Sequence, residues 1–571
     1  MVDPPQKHII IIGAGVGGTA TAARLGKQGF RVTVLEKNSF SGGRCSLIHH
    51  NGHRFDQGPS LYLMPKMFEE TFDELGEKLT DHIELLKCQT NYKLHFQDGE
   101  SILLSPDLAH MKTEIERFEG PGEAPFLKYL GFLAESHVHY EHSMTLALKR
   151  NFEAWYEMFQ PKFLPELFKL HLFSKIYSRA EKYFSSAKMR MAFTFQTMYM
   201  GMSPFDAPGT YNLLQYTELA EGIWYPKGGF HKVVSSLETI ANKKFGAQFR
   251  YDAPVKQINT AADGKTVTGV TLESGEVIHA DAVVCNADLV YAYNKLLPPS
   301  NYGKRIGKAS FTSSSISLYW GMKRKIPELD VHNIFLADAY KESFDEIFKD
   351  HTLPSEPSFY INVPSRIDPT AAPENKDTMV VLVPVGHMTD AHPQDYDSLV
   401  AKARSLVLGS LLKHTGVDFA PLIDFEIFND PRTWQAKFNL WQGSILGLSH
   451  NILQVLWFRP STKDGSGRYD NLFFVGASTH PGTGVPIVLC GARLTSDQVG
   501  RHFGVSDEKR GVVKAKGKKV DGAGMIGWFL VLLAVLAVVV GMTGTNGLNN
   551  VWEGALKCIN TSLLSIIRFQ L

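Results

Sequence analysis

The sequence predicts an α/β protein. A parallel-sheet domain is interleaved with a second domain on a mixed sheet, and an apolar helix of membrane length follows near the C-terminus. Three observations carry this. A five-residue apolar run, His8-Ile9-Ile10-Ile11-Ile12, leads directly into a glycine turn and an Ala/Leu-rich helix. Strand-like segments return at residues 253–288 and 471–475, far from that unit in the chain. Residues 525–542 form an uncharged, overwhelmingly apolar run.

The N-terminal unit organises the rest. Gly13-Ala14-Gly15-Val16-Gly17-Gly18 fits GxGxxG, and the pattern continues through Ala22, Leu25, Gly29, Val32 and Val34 to Glu36. Gly13 permits the sharp turn off the strand. Gly15 removes a side chain where backbone N–H groups approach a pyrophosphate, and Gly18 lets the helix lie close on the sheet. The helix N-terminus adds partial positive charge. Glu36 stands where an acid hydrogen-bonds an adenosine ribose. Strand, glycine turn, helix, strand and acid together define a Rossmann-like dinucleotide site, and Lys37 is grouped with it.

Bulk properties bound the alternatives. At 571 residues the chain exceeds one compact core. Its 59 basic and 58 acidic residues nearly cancel, so nothing global draws it to nucleic acid. Cys45, Cys88, Cys285, Cys490 and Cys558 show no CxxC spacing, which argues against zinc and against a disulfide framework. Residues 1–7 are polar and lack a signal-peptide core. His49, His50 and His53 have no carboxylate or cysteine at ligand spacing, so they read as loop histidines and no metal site is expected.

Residues 61–224 differ in character. Residues 92–105 alternate about Asp98-Gly99, a hairpin signal. Long helical patterns rich in Phe, Leu, Met and Tyr follow, at 152–173 and 189–205. Such stripes form either plain core or the wall of a channel for a flexible hydrocarbon. Strands at 253–288 complete the first domain's sheet. Segments 313–320, 358–363 and 378–384 predict the mixed sheet of the second domain. Residues 471–486 read as strand, loop and helix start. The resulting division is 1–60, 225–295 and 465–505 for the nucleotide domain and 61–224 with 296–464 for the substrate domain.

The motifs narrow the family. Ser41-Gly42-Gly43-Arg44 just after the second strand resembles flavoproteins of the amine-oxidase and carotenoid-desaturase superfamily. Trp224-Tyr225-Pro226-Lys227-Gly228-Gly229, Asn286-Ala287-Asp288 and the run from Val475 to Pro486 resemble the single-enzyme phytoene desaturases of bacteria and fungi over about residues 8–500. The resemblance implies FAD rather than NAD as resident cofactor, with NAD left open as alternative or co-oxidant. It implies that Gly43 and Arg44 lie along the pyrophosphate and that the Asp56-Gln57-Gly58-Pro59 loop passes near the flavin. It implies that Val255 meets the adenine, and that Gly476, Val485 and Pro486 approach the ribityl chain and ring. Many relatives carry an acid where Ala477 stands, so a side-chain contact to the ribityl hydroxyls is in doubt here.

The expected activity is successive desaturation of phytoene to lycopene or a near relative. Phytoene and partly desaturated carotenes are the ligands, and a quinone or oxygen is the final acceptor. A homo-oligomer is compatible with this class. No catalytic base is readable; Arg190 and Asp206, beside the aromatic stripe, are the nearest candidates. A polyene saturase or isomerase, an amine or porphyrinogen oxidase, and a non-enzymatic carrier of prenyl lipids are the rivals. The basic linker 506–524, the apolar run 525–542 and the tail 543–571 predict a single-pass anchor in the endoplasmic reticulum or a lipid-associated membrane, with the catalytic body cytoplasmic and a lipid bilayer as partner.

Overall fold

The computed structural model describes residues 6–152, 169–452, 454 and 459–510. The chain divides into two units, Met1–Val512 and Val513–Leu571, and only the first contains described residues.

Five parallel strands form the first sheet, in the order Leu472–Phe474, Ala282–Cys285, His8–Ile12, Arg31–Leu35, Gln248–Arg250. The first strand sits at its centre and is buried on both faces, which is why its sequence is continuously apolar rather than alternating. Helices Val16–Lys27, His231–Thr239 and Val485–His502 cover one face through a core that includes Ile9, Ile11, Leu25, Val233 and Leu489. The other face packs on a separate antiparallel sheet of Val255–Thr260, Val267–Leu272 and Val277–His279. The expectation that all strands of 253–288 complete one sheet is thus corrected: only Ala282–Cys285 joins it, while the antiparallel three form a second layer.

Seven strands form the mixed sheet, in the order Ile423–Asn429, Ser314–Met322, Thr378–Val385, Phe359–Asn362, His332–Phe335, Tyr92–His95, Ser101–Leu104. The hairpin about Asp98-Gly99 forms its edge, with Tyr92 opposite Leu104. Helix Tyr396–Thr415 backs it through Val400, Ala403, Val407 and Leu411. His49, His50 and His53 lie on a hairpin, Leu47–His50 with His53–Asp56, rather than in a loop.

The aromatic stripe is not one helix. It divides into Ala187–Ala192 and a 3-10 turn, Phe195–Met200. Residues 191–198 are all buried, which a surface helix with one apolar face does not do, and here the chain turns between them. Of the helix expected at 152–173, residues 153–168 lie outside the described residues.

One element of the expected fold class is withdrawn. Crossing a bilayer takes about 20 consecutive apolar residues. Among the described residues no helix is long and apolar enough to cross a membrane; the longest, Glu123–Ser143 and Tyr396–Thr415, carry charges along their length. The run 525–542, with the residues flanking it from 511 onward, lies outside the described residues.

Candidate cofactor and substrate site

The glycine turn is built by close approach. Gly13 has φ +96°, and a Cβ on Gly18 would lie 2.1 Å from the Gly13 carbonyl oxygen. The helix that starts at Val16 has no side-chain cap and no acid in its first turn, so its leading N–H groups and positive dipole end are left for a ligand. Asn286 braces the turn from the neighbouring strand end: its backbone N–H donates to the Ile12 carbonyl at 2.8 Å and its Nδ2 to the Gly13 carbonyl at 3.2 Å. Gly15 and Gly17 lie close against this side chain, where a Cβ would come within 2.9 and 2.6 Å of its amide.

Glu36 closes the far end. Its Oε2 accepts the Ala14 N–H at 2.8 Å and its Oε1 accepts both Asn38 N–H groups at 2.9 and 2.8 Å. The carboxylate is thereby fixed at the cavity wall with acceptor capacity remaining for a diol. Lys37 is engaged elsewhere, with Nζ donating to the Ala436 carbonyl at 2.8 Å and to Asn439 Oδ1 at 2.9 Å. Burial lowers its pKa.

Arg44 donates through Nη1 to the Ile445 carbonyl, which leaves most of its five donors facing the cavity. Burial pulls its pKa down, and the charges of Cys45 and Asp288 oppose that. Asp288 is pushed up to about 6 by burial, against the Tyr291 N–H and the Arg44 charge. Gly58 lets its loop pass over Arg44, since a Cβ there would sit 2.5 Å from the Arg44 carbonyl oxygen. Gly476 and the start of helix Val485–His502, with Pro486 in its first turn and no side-chain cap, line the same space, as does Val255. Ala477 offers no acid, and its carbonyl is taken by Arg459.

These residues share one cavity of about 580 Å³. It brings together Gly13, Gly15, Glu36, Lys37, Gly43, Arg44, Gly58, Val255, Gly476, Val485 and Pro486. Gly18 lies behind the turn, where it sets helix packing. The residues fit a dinucleotide: an uncapped helix end and a guanidinium with free donors for the diphosphate, a pinned carboxylate for a ribose, and glycines where a Cβ would fill the cradle. The cavity continues into an apolar half lined by Leu63, Met64, Leu148, Leu170, Met198 and Met200. Part of the aromatic stripe is therefore cavity wall, while Phe193 and Phe195 are plain core.

Arg190 and Asp206 are not in this cavity. The Arg190 guanidinium donates to the Phe184 and Ser185 carbonyls at 3.0 and 2.8 Å, and Asp206 is exposed. Sequence reasoning missed the brace at Asn286 and the polar patch of Ser60, Tyr92, Tyr199 and Tyr360 on the wall of the apolar half. It also missed a cluster of Glu135, His139 and His171, whose ligand atoms lie within 4.8 Å of one another. Glu135 is already paired with Arg179 and accepts from Tyr183 at 2.9 Å, so that cluster is an ion-pair network rather than a metal centre.

Fold and site define an oxidoreductase that binds a dinucleotide beside an apolar pocket. The match to known proteins is specific: residues 16–499 fit the model of the flavin containing amine oxidoreductases, and the chain belongs to that family. Within it, the chain is 60% identical to a phytoene desaturase of Phycomyces blakesleeanus over 99% of this chain and 98% of that protein. It is 44% identical to a zeta-carotene-forming phytoene desaturase of Myxococcus xanthus over 86% and 94% of the two chains. A solved engineered variant of putrescine oxidase shares the fold at 14% identity, with TM-score 0.58 over 88% of this chain and 99% of that one.

Replacing Arg44 with Met is expected to weaken flavin binding roughly 10- to 100-fold, since charge-assisted hydrogen bonds contribute about 1.5–3 kcal/mol. Flavin titration of the apoprotein measures this; unchanged affinity would remove Arg44 from the site.

Proposed function

We propose that the chain is an FAD-dependent phytoene desaturase that introduces successive double bonds into phytoene, toward lycopene or a near relative. One observation carries this beyond the family: the phosphate cradle and the apolar, Met-lined half are one continuous cavity. A polyene offers no polar handle, so its binding must come from burial of apolar surface, worth roughly 25 cal/mol per Å². Unbranched Met64, Met198 and Met200 suit a long flexible chain better than branched side chains do.

Gly13, Gly15 and the helix from Val16 would hold the FAD diphosphate with Arg44, Glu36 the ribose, and Val255 the adenine. The strand end at Gly476 and the helix start at Val485 would flank the ring-bearing end. Bound FAD supplies the two-electron acceptor for a hydride from the polyene. The protein aligns the chain against that acceptor and keeps water from the reacting carbons. Reoxidation by a quinone or oxygen is the reading we favour, since one glycine motif serves one resident dinucleotide. A hydrocarbon substrate dissolved in lipid places the working enzyme at a lipid surface, with the body described here on the cytoplasmic side.

The test is the absorption spectrum of lipids from a host that accumulates phytoene, with and without this protein. New visible bands are expected, and their positions count the conjugated double bonds. Colourless lipid beside a folded, flavin-loaded protein would move the assignment to other polyene redox chemistry. Colourless lipid without bound flavin would favour a lipid carrier.

A further inference from the structure

The desaturase reading leaves one chemical role unfilled. Each double bond requires a proton acceptor as well as a hydride acceptor, and none of the residues that cradle the cofactor faces the apolar half as a base.

Glu218 is a carboxylate buried to 0% exposure behind that half of the cavity. Its Oε1 accepts the Tyr92 hydroxyl at 2.9 Å and also the Tyr199 hydroxyl, and its Oε2 accepts Gln196 Nε2 at 3.1 Å. Among the described residues, these three neutral donors are the only groups acting on it; no cation pairs with it. A buried carboxylate without a counter-ion is costly, on the order of several kcal/mol, and a glutamine would fill a merely structural place. Tyr92 and Tyr199 line the cavity, whereas Glu218 does not. The carboxylate therefore meets the cavity only through hydroxyl groups.

Among the described residues, no charged group acts on Glu218. Asn91 donates to the Glu218 main-chain carbonyl at 2.6 Å. His332, on the neighbouring strand, is held neutral by burial, which pulls it down to about 3, and its Nδ1 lies 2.7 Å from the Tyr360 hydroxyl. Tyr360 in turn meets Ser60 at 2.8 Å. Burial pushes the Cys88 thiol up to about 12. Glu221, at the end of the same turn, is paired with Tyr140.

We propose that Tyr199 and Glu218 are the proton-accepting pair of the desaturation, with the Tyr199 hydroxyl touching the polyene and Glu218 holding the proton. At one carbon the C–H bond breaks and its hydrogen leaves with both electrons to the flavin. At the adjacent carbon the C–H electron pair remains as the new π bond. That proton goes to the Tyr199 oxygen as the phenolic proton passes to the Glu218 carboxylate. The acid then returns its proton to solvent while the flavin is reoxidised.

This inference rests on the desaturase reading, and it adds a sign. Burial first, opposed by the hydrogen bonds of Tyr199, Tyr92 and Gln196, raises Glu218 to about 7. The carboxylate form is the acceptor, so the rate of flavin reduction by phytoene should rise with pH and level off above about 7. The experiment is anaerobic single-turnover reduction of the holoenzyme by phytoene in lipid vesicles on both sides of that pH. Glu218→Gln and Tyr199→Phe are each expected to reduce the rate about 10²-fold or more, and Glu218→Gln to flatten the profile. Tyr92→Phe removes one donor to the carboxylate and should move the midpoint to higher pH.

Infrared difference spectra of resting holoenzyme should show a carboxyl band that titrates near that midpoint and is missing in Glu218→Gln. If Glu218→Gln does not fold with flavin bound, Tyr199→Phe, which deletes one oxygen, carries the kinetic test. Wild-type rates and an unshifted profile in either variant overturn the proposal alone. A wild-type holoenzyme that leaves phytoene unconverted overturns it together with the desaturase reading.

Discussion

Gly18→Ala protein is expected to purify without flavin and to unfold at a lower temperature than wild type. The added Cβ would lie 2.1 Å from the Gly13 carbonyl oxygen and 3.1 Å from Asn286 Nδ2. Backbone cannot yield as a flexible side-chain tip does, so helix Val16–Lys27 must lift from the sheet. Overpacking of this kind costs typically about 1–3 kcal/mol. The displaced helix end no longer meets the diphosphate, and the stabilisation that bound ligand confers is lost as well, about 4 kcal/mol for a cofactor held at a thousand times its Kd. Flavin absorbance per mole of protein, and thermal unfolding with and without added FAD, check both parts. Full flavin content in the variant would show that this close approach does not hold the cradle.

The second large effect is at Asp368. Its carboxylate is fully buried and pairs with Arg54 at 2.5 Å, itself only 9% exposed. It also accepts the Gly228 N–H at 2.7 Å and the Thr370 hydroxyl at 2.7 Å. The hairpin that leads to Gly58, the turn that starts helix His231–Thr239, and the 3-10 turn Pro369–Ala371 therefore meet at one group. Asp368→Ala removes the ion-pair partner of the buried Arg54 guanidinium and leaves it the Thr370 carbonyl and the field of Asp56, at an expected cost of about 3 kcal/mol. Denaturant unfolding measures it, and a loss below about 1 kcal/mol would show that solvent reaches Arg54.

The same group sets an acid limit. Burial alone would raise the Asp368 pKa, but the Gly228 N–H, Thr370 and the Arg54 charge together hold it below the ordinary carboxylate value. A depressed folded-state pKa contributes stability above the unfolded pKa, near ~4, and that contribution disappears as pH falls through the folded value. Stability lost at acid pH should accordingly be smaller in Asp368→Ala than in wild type.

Legibility followed the range of the interaction. The glycine turn and Glu36 were readable because their geometry is set within 24 residues of chain. The brace on that turn was not: Asn286 stands 273 positions from Gly13, and only the pairing of strands His8–Ile12 and Ala282–Cys285 joins them. Tyr92, Tyr199 and Glu218 were lost in the same way, since Tyr92 reads as part of a hairpin and Tyr199 as part of the aromatic stripe, and nothing in the sequence joins either to Glu218. The stripe at 189–205 misled through its composition. Its apolar residues satisfy a helical period, but residues 191–198 are buried all round, with polar Thr194, Gln196 and Thr197 among them, and here that segment turns.

The central parallel sheet takes its first strand from residues 8–12 and its edge strand from 472–474. At about 5–20 residues per second, a ribosome needs roughly half a minute to a minute and a half to make what lies between. Throughout that interval the nascent chain holds a glycine turn with no Gly476 strand end and no Val485 helix opposite it. The cradle is therefore complete only once the helix that starts at Val485 has been made.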